Sequence, residues 1–369
     1  MGVLMRFLLP LVVAAVSVVG LAPAASAGSD DWSADLSSAA VTWGGSPRMG
    51  TVDLAPHQLS SAANAVSASV DGSGVEIDVR GQIGDDEWTE WRTADASSPA
   101  ALDKAVSVVQ VRVVYSPGSS VGLIRFKASS VPVASDVEAM APGRAYRVYA
   151  TREGLVGGTT ANGHVIKSRD HFVALPSRRG LAGNNSGNYT VQVCASNGRC
   201  EWAPVWDVGP WNTKDDYWNP SATREMWKNL PQGKPEAQAA YSEGYNGGKD
   251  QYGRKVANPA GIDLADGTFW DGLKLTTNSY VTVTYLWTGS GPLATVHTAA
   301  DPLNVRSGTS SATSQVGLAA NHAQVRVLCQ TTGQSVTGSQ GTSNIWFRIA
   351  AGKYVAKAYV SGVTGATAC

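Results

Sequence analysis

Two aspartates carry the strongest chemical suggestion in this chain. Asp207 stands in Trp206-Asp207-Val208-Gly209-Pro210 and Asp263 in Gly261-Ile262-Asp263-Leu264, each among apolar residues at the end of a strand-like run. Partial burial at such a place raises a carboxyl pKa and keeps a proton available at neutral pH. Cleaving a glycosidic bond requires an acid that protonates the leaving oxygen, and hydrolysis requires a second carboxylate to deliver water or to attack directly. Asp207 is the candidate general acid and Asp263 its partner or orienting group. An aspartate before Gly or Pro also suits turn capping through Asx hydrogen bonds, so a purely structural role stands beside the chemical one.

Other catalytic signatures are missing. The chain has no Gly-x-Ser-x-Gly elbow, no His-Glu-x-x-His and no phosphate loop; Gly244 to Asp250 has glycines and Lys249 without the required spacing or hydroxyl. His57, His164, His171, His297 and His322 are too scattered to argue a metal site, and no motif implies a cofactor. Acidic and basic residues balance at 29 each, which gives no reason to expect nucleic acid or an anionic membrane surface as partner.

The elements that must position the aspartates read as strands. The composition is poor in charge and rich in Gly, Ser, Thr, Val, Trp and Tyr, which points to an all-β, multidomain chain. Residues 1–27 have the charged start, short apolar run and Ala25-Ser26-Ala27 pattern of a secretory signal, so the mature protein is expected to begin near Gly28 and to be extracellular or wall-associated, with no membrane span. Four cysteines in an exported chain predict two disulfides: Cys194 with Cys200 across an Asn-Gly turn, and Cys329 with the terminal Cys369.

Short alternating runs over 28–134, such as Val75-Glu76-Ile77-Asp78-Val79-Arg80, predict an accessory β-sandwich, either carbohydrate-binding or a plain spacer. Its Glu87-Trp88-Thr89-Glu90-Trp91-Arg92 resembles segments that precede catalytic domains in secreted bacterial wall amidases. A polar stretch with Pro132 and Pro142 reads as a linker. The central module, 145–288, opens and closes on strands and contains a long insert, 211–260. Gly289-Ser290-Gly291-Pro292 reads as a hinge before a last module, 294–369.

The order Thr160-Ala161-Asn162-Gly163-His164, Phe172-Val173-Ala174-Leu175-Pro176, Asp207-Val208-Gly209-Pro210 and Gly261-Ile262-Asp263-Leu264 resembles the double-psi β-barrel family, in particular rare-lipoprotein-A-type lytic transglycosylases and expansins. The resemblance implies a six-stranded barrel and functional carboxylates at Asp207 and Asp263. It departs where those relatives carry an acid and this chain has His164, and where they carry a histidine and this chain has Phe172, with His171 one place away. Leu303-Asn304-Val305-Arg306-Ser307-Gly308, Trp346 and Gly352-Lys353-Tyr354-Val355 resemble the bacterial Src-homology-3-like wall-binding family, which implies a small barrel that anchors on peptidoglycan.

The expected partner is peptidoglycan or a related cell-wall polysaccharide; the oligomeric state is left open. Candidate substrate contacts are His164, His171, Trp206, Trp211, Tyr217 and Trp218. The insert's aromatic residues could form a floor for sugar rings or a small core of their own. Cleavage of the glycan, expansin-like loosening without cleavage, and non-catalytic binding as an adhesin or hydrolase inhibitor all use this arrangement.

Overall fold

Alternation of apolar and polar residues builds the centre of the molecule. The computed structural model describes residues 30–131, 143–363 and 366–369. The expected signal segment and the two linker prolines lie outside the described residues. Six strands close into a barrel: β1 (Arg144–Arg152), β2 (Val173–Leu175), β3 (Thr190–Cys194), β4 (Cys200–Val208), β5 (Ala260–Leu264) and β6 (Ser279–Tyr285). The ring runs β1-β5-β2-β4-β3-β6 and back to β1, with β1–β5 and β2–β4 parallel and the other pairs antiparallel. The chain is thus all-β and multidomain around a closed mixed barrel.

A strand points successive side chains to opposite faces, so every second residue turns inward. Val148 and Ala150, Val191 and Val193, Ile262 and Leu264, and Val281 and Val283 fill the barrel. Burying each Val, Leu or Ile contributes about 1.5–3 kcal/mol. The two disulfides join Cys194 to Cys200 across the β3–β4 hairpin and Cys329 to Cys369 at the chain end.

The segment ahead of the barrel is a seven-stranded sheet in which His57–Gly84 and Ala100–Ser129 pair along much of their length. It is no loose accessory. Its Trp91 belongs to the barrel's own core cluster and donates from Nε1 to the Leu181 carbonyl at 3.2 Å. Glu90, 5% exposed, accepts from Trp218 Nε1 at 2.6 Å, Trp287 Nε1 at 2.8 Å and Asn219 Nδ2 at 2.7 Å, with Arg92 at 3.3 Å. Burial alone pushes the Glu90 carboxyl up, but Arg92 and the three donors outweigh it and hold the pKa below the ordinary glutamate value.

The last module is fused to the barrel. The strand Gln315–Ala319 lies parallel to β4, with Gly317 opposite Cys200. A Cβ at Gly317 would sit 2.0 Å from the Cys200 carbonyl oxygen, so only glycine permits this approach. The segment 289–292 is correspondingly not a free hinge. Arg326 donates to the carbonyls of Leu286 at 3.0 Å, Gly289 at 2.8 Å and also Gly291, and pairs with Glu87 at 2.9 Å. Glycine supplies the tight turn, and the arginine fixes it. No helix among the described residues is long and apolar enough to cross a membrane.

Replacing Glu90 with Ala removes the acceptor of three buried donors and the partner of Arg92. The expected loss is about 3–5 kcal/mol of stability. Glu90→Gln, which keeps an acceptor, is expected to lose less. Denaturant unfolding followed by tryptophan fluorescence measures both; equal stabilities of all three proteins would remove Glu90 from this role.

Candidate active site

Four barrel strands lie side by side in the order β1, β5, β2, β4, and their register sets the site. Thr151 is opposite Asp263, Asp263 is opposite Ala174, and Ala174 is opposite Asp207. Because Ala150, Ile262, Leu264, Val173 and Leu175 point into the core, Thr151, Asp263 and Ala174 point outward. In β4, simple alternation would send Asp207 inward with Val205. A shift of register between Val205 and Asp207 re-aims the chain there. A similar shift separates Ala260 from Ile262 in β5. The two aspartates therefore flank Ala174, whose methyl group leaves room between them, at strand positions about 10 Å apart.

A cavity of about 400 Å³ opens over this row, lined by Thr151, Glu153, Ala174, Asp207 and Asp263, with Trp211, Arg254 and Asn258 from the insert and Ser46 from the N-terminal sheet. Asp207 is 6% exposed, and its Oδ1 accepts from the backbone N–H of Ala161 and of Val208, both at 2.8 Å. The Ala161 turn is held from outside: Gly45 donates to the Thr159 carbonyl at 2.8 Å, and a Cβ on Gly44 would stand 1.9 Å from the Thr160 oxygen. Thr151 Oγ1 donates to Asp263 Oδ1. Burial, opposed by that hydrogen bond and reinforced by the charge of Asp207, pushes the Asp263 carboxyl up to about 7.

The third acid, Glu153, was not among the residues the sequence singled out. It follows β1 directly, and its N–H continues the ladder to the Leu264 carbonyl at 2.9 Å. Both carboxyl oxygens are shut off from solvent, and no protein donor reaches either. Burial first, then the negative charges of Asp207 and Asp263, raise its pKa well above the ordinary range. A proton on Glu153 can be donated to Asp207, which together with the two backbone amides opposes the upward push of burial on Asp207. Of these two acids, Glu153 is the proton holder and Asp207 the one equipped for charge. The signal for Glu153 was present: Tyr149, Thr151 and Glu153 share one face by period two.

The expected substrate contacts separate into two groups. Trp211 is partly exposed on the cavity wall, with φ of 62° and Nε1 bonded to Asn258 Oδ1 at 3.2 Å. Tyr217 and Trp218 are fully buried and form no sugar floor. Trp218 stacks on Tyr285 at 4.8 Å and bonds Glu90, while the Tyr217 hydroxyl donates to the Gly261 carbonyl at 2.9 Å; together they close one end of the barrel. Trp206 is 7% exposed and donates to the Ser186 carbonyl. His164 bonds Asp170 at 2.6 Å, and His171 bonds Glu201 at 2.8 Å. These three residues do not line the cavity. For His171, burial favours the neutral ring, but the Glu201 charge outweighs it and raises the pKa.

Among the described residues, no group of three or more His, Cys, Asp or Glu has the arrangement of a metal site. A family model described as a domain of unknown function, DUF8814, matches residues 144–284. That span runs from the start of β1 into β6 and includes all three acids. No curated protein matches the chain.

The raised carboxyl makes stability pH-dependent. An aspartate titrating near 7 when folded and near its ordinary 3.8 when unfolded keeps its proton longer in the folded state, so stability falls as pH rises between those values. Asp263→Asn removes this slope. The variant should match the parent below about pH 4 and exceed it near pH 8 by on the order of a few kcal/mol. Melting temperatures across that range test it; parallel curves for both proteins would show that Asp263 titrates normally.

Proposed function

We propose that this protein is a secreted, cell-wall-associated glycan-active protein whose barrel cleaves peptidoglycan or a related polysaccharide. The observation that carries the proposal is the gathering of Glu153, Asp207 and Asp263 around Ala174 in one cavity, with the Glu153 carboxyl enclosed and reached by no protein donor. The ring of strands with its two parallel pairs supports the double-psi, rare-lipoprotein-A-like or expansin-like assignment. The antiparallel strands of the C-terminal module and its Leu-Asn-Val-Arg-Ser-Gly motif support an Src-homology-3-like wall anchor.

The roles follow from the environments. Asp207 gives a proton to the glycosidic oxygen as the bond to the anomeric carbon breaks, and Glu153, whose own oxygens are enclosed, shares its proton with the carboxylate left behind. The Asp207 carboxylate, held by two amides, faces the positive charge that develops on the sugar. Asp263 takes the proton of the hydroxyl that attacks, from water in hydrolysis or from the sugar itself in transglycosylation. Solvent exchange through Asp207 then restores the starting protonation. Asp207 thus keeps the general-acid role of the first sequence candidate, with Glu153 behind it as a proton store. A non-catalytic binding role has its own support, since the Ala161 and Val208 amides on Asp207 are also what a turn-capping aspartate makes.

Mass spectrometry of soluble products from peptidoglycan sacculi, cellulose and chitin decides between these readings. The full protein is expected to release reducing ends or anhydro-muropeptides from sacculi. Glu153→Gln and Asp207→Asn should each lower the rate by about 10²–10⁴-fold with unchanged circular dichroism. Release of polymer without new ends indicates loosening; retained binding with no release indicates a binding protein.

A further inference from the structure

The outer face of β1 does not end at the cavity. Arg147, Tyr149, Thr151 and Glu153 alternate with the inward Val148 and Ala150, so all four fall on the face that carries the acids. On the neighbouring strand, Tyr280 pairs with Tyr149. The two rings meet edge to face at 5.3 Å, and the Arg147 guanidinium lies 4.1 Å from the Tyr280 ring centre. Tyr280 is 37% exposed. A second hollow of about 500 Å³ covers this pair and shares Asn278 with the acid cavity. Asn278 Oδ1 accepts from the Arg152 backbone N–H at 3.1 Å, which fixes the bridge between the hollows.

The arginines differ in what remains free. Arg152 is paired with Asp266 and Arg254 with Asp250, each at 2.7 or 2.6 Å. The Arg147 side chain has no hydrogen bond or ion pair among the described residues; its contact is with the Tyr280 ring. A guanidinium stacked on an aromatic ring keeps its planar fork of N–H donors available for a carboxylate. Tyrosine rings and edges beside it suit the apolar faces and hydroxyl rims of sugars.

We propose that this Tyr149–Tyr280–Arg147 face is a second binding region of the same site, and that it selects a glycan carrying carboxylate groups. The inference rests on the glycan-cleaving reading of the cavity. From Tyr149 to Glu153 the strand path covers about 13 Å, so one chain reaching both regions is longer than a disaccharide. A neutral polysaccharide would use the tyrosines and leave the Arg147 fork to water.

Calorimetric binding tests this on the full protein carrying Glu153→Gln, which stops turnover. The probes are peptide-stripped peptidoglycan strands with free lactyl carboxylates, the same strands after amidation, and the hexamer of N-acetylglucosamine. Adding Arg147→Ala should weaken binding to the carboxylated strands about tenfold and leave the amidated strands and the hexamer unchanged. Tyr280→Ala should weaken all three, and Tyr280→Phe should restore them. Equal losses on carboxylated and amidated strands would overturn the carboxylate assignment. No loss with either Arg147→Ala or Tyr280→Ala would overturn the region itself. Failure of the cavity reading shows separately, as absence of cleavage products from the protein that retains Glu153.

Discussion

A single buried carboxylate joins the parts of this molecule. Glu90 comes from the N-terminal sheet, its donors Trp218 and Asn219 come from the insert, and Trp287 follows the last barrel strand. A charge removed from water is tolerated only when its hydrogen bonds are complete, and the donors here come from two stretches of chain distant from Glu90 in sequence. Arg178 repeats the arrangement, bonding Asp78 at 2.7 Å and also Glu76 while fully enclosed. Such contacts add less net stability than apolar packing of the same volume, but they fix relative position. Any other docking of the sheet on the barrel would strand a charge on both sides.

Position matters because the acid cavity is assembled from more than the barrel. The turn that gives Asp207 one of its two amides is braced by Gly44 and Gly45, and Ser46 lines the cavity beside it. The insert supplies Trp211, Arg254 and Asn258 from the other side. The N-terminal module thus forms part of the wall around the carboxyls. Its tryptophans, Trp88 and Trp91, are buried under stacked arginines, with Arg80 at 4.3 and 4.4 Å and Arg112 over Trp91 at 4.2 Å.

What the sequence revealed was local. The Cys194–Cys200 pair was legible because the five residues between them contain an Asn-Gly turn, and β1 and β6 were legible as runs of valine, threonine and tyrosine. The neighbourhood of Asp207 and Asp263 was legible as strand ends next to apolar residues. Tyr217 and Trp218 were misplaced as possible sugar contacts because an aromatic residue beside polar groups looks alike on a surface and at a polar seam; the donor Glu90 requires is 128 residues away in sequence. Period two puts Glu153 on one face with Thr151, but it was missed because nothing in Arg-Glu-Gly shows what that face meets. Its character comes from burial and then from the two aspartates, both of which depend on long-range pairing. The union of β4 with Gln315–Ala319 was hidden for the same reason, since a glycine within a strand does not announce which backbone it approaches.

The barrel period then explains how one sheet can serve both stability and chemistry. Inward positions are almost wholly aliphatic or aromatic, while the outward row of Thr151, Asp263, Ala174 and Asp207 is polar around one small residue. An uninterrupted β4 would have carried Asp207 into the core with Val205, where a charge has no compensation. The shift of register avoids this by changing the face of one residue while leaving the strand paired. Burial raises the pKa values of all three acids, so below neutral pH the cavity can hold protons and escape mutual repulsion. As pH rises they resist ionisation together, at a cost in stability that the polar junctions around the barrel must offset. A carboxyl cluster that destabilises its own fold is hard to explain as a structural feature, because uncharged Asn or Thr at the same positions would cap the same turns without that cost.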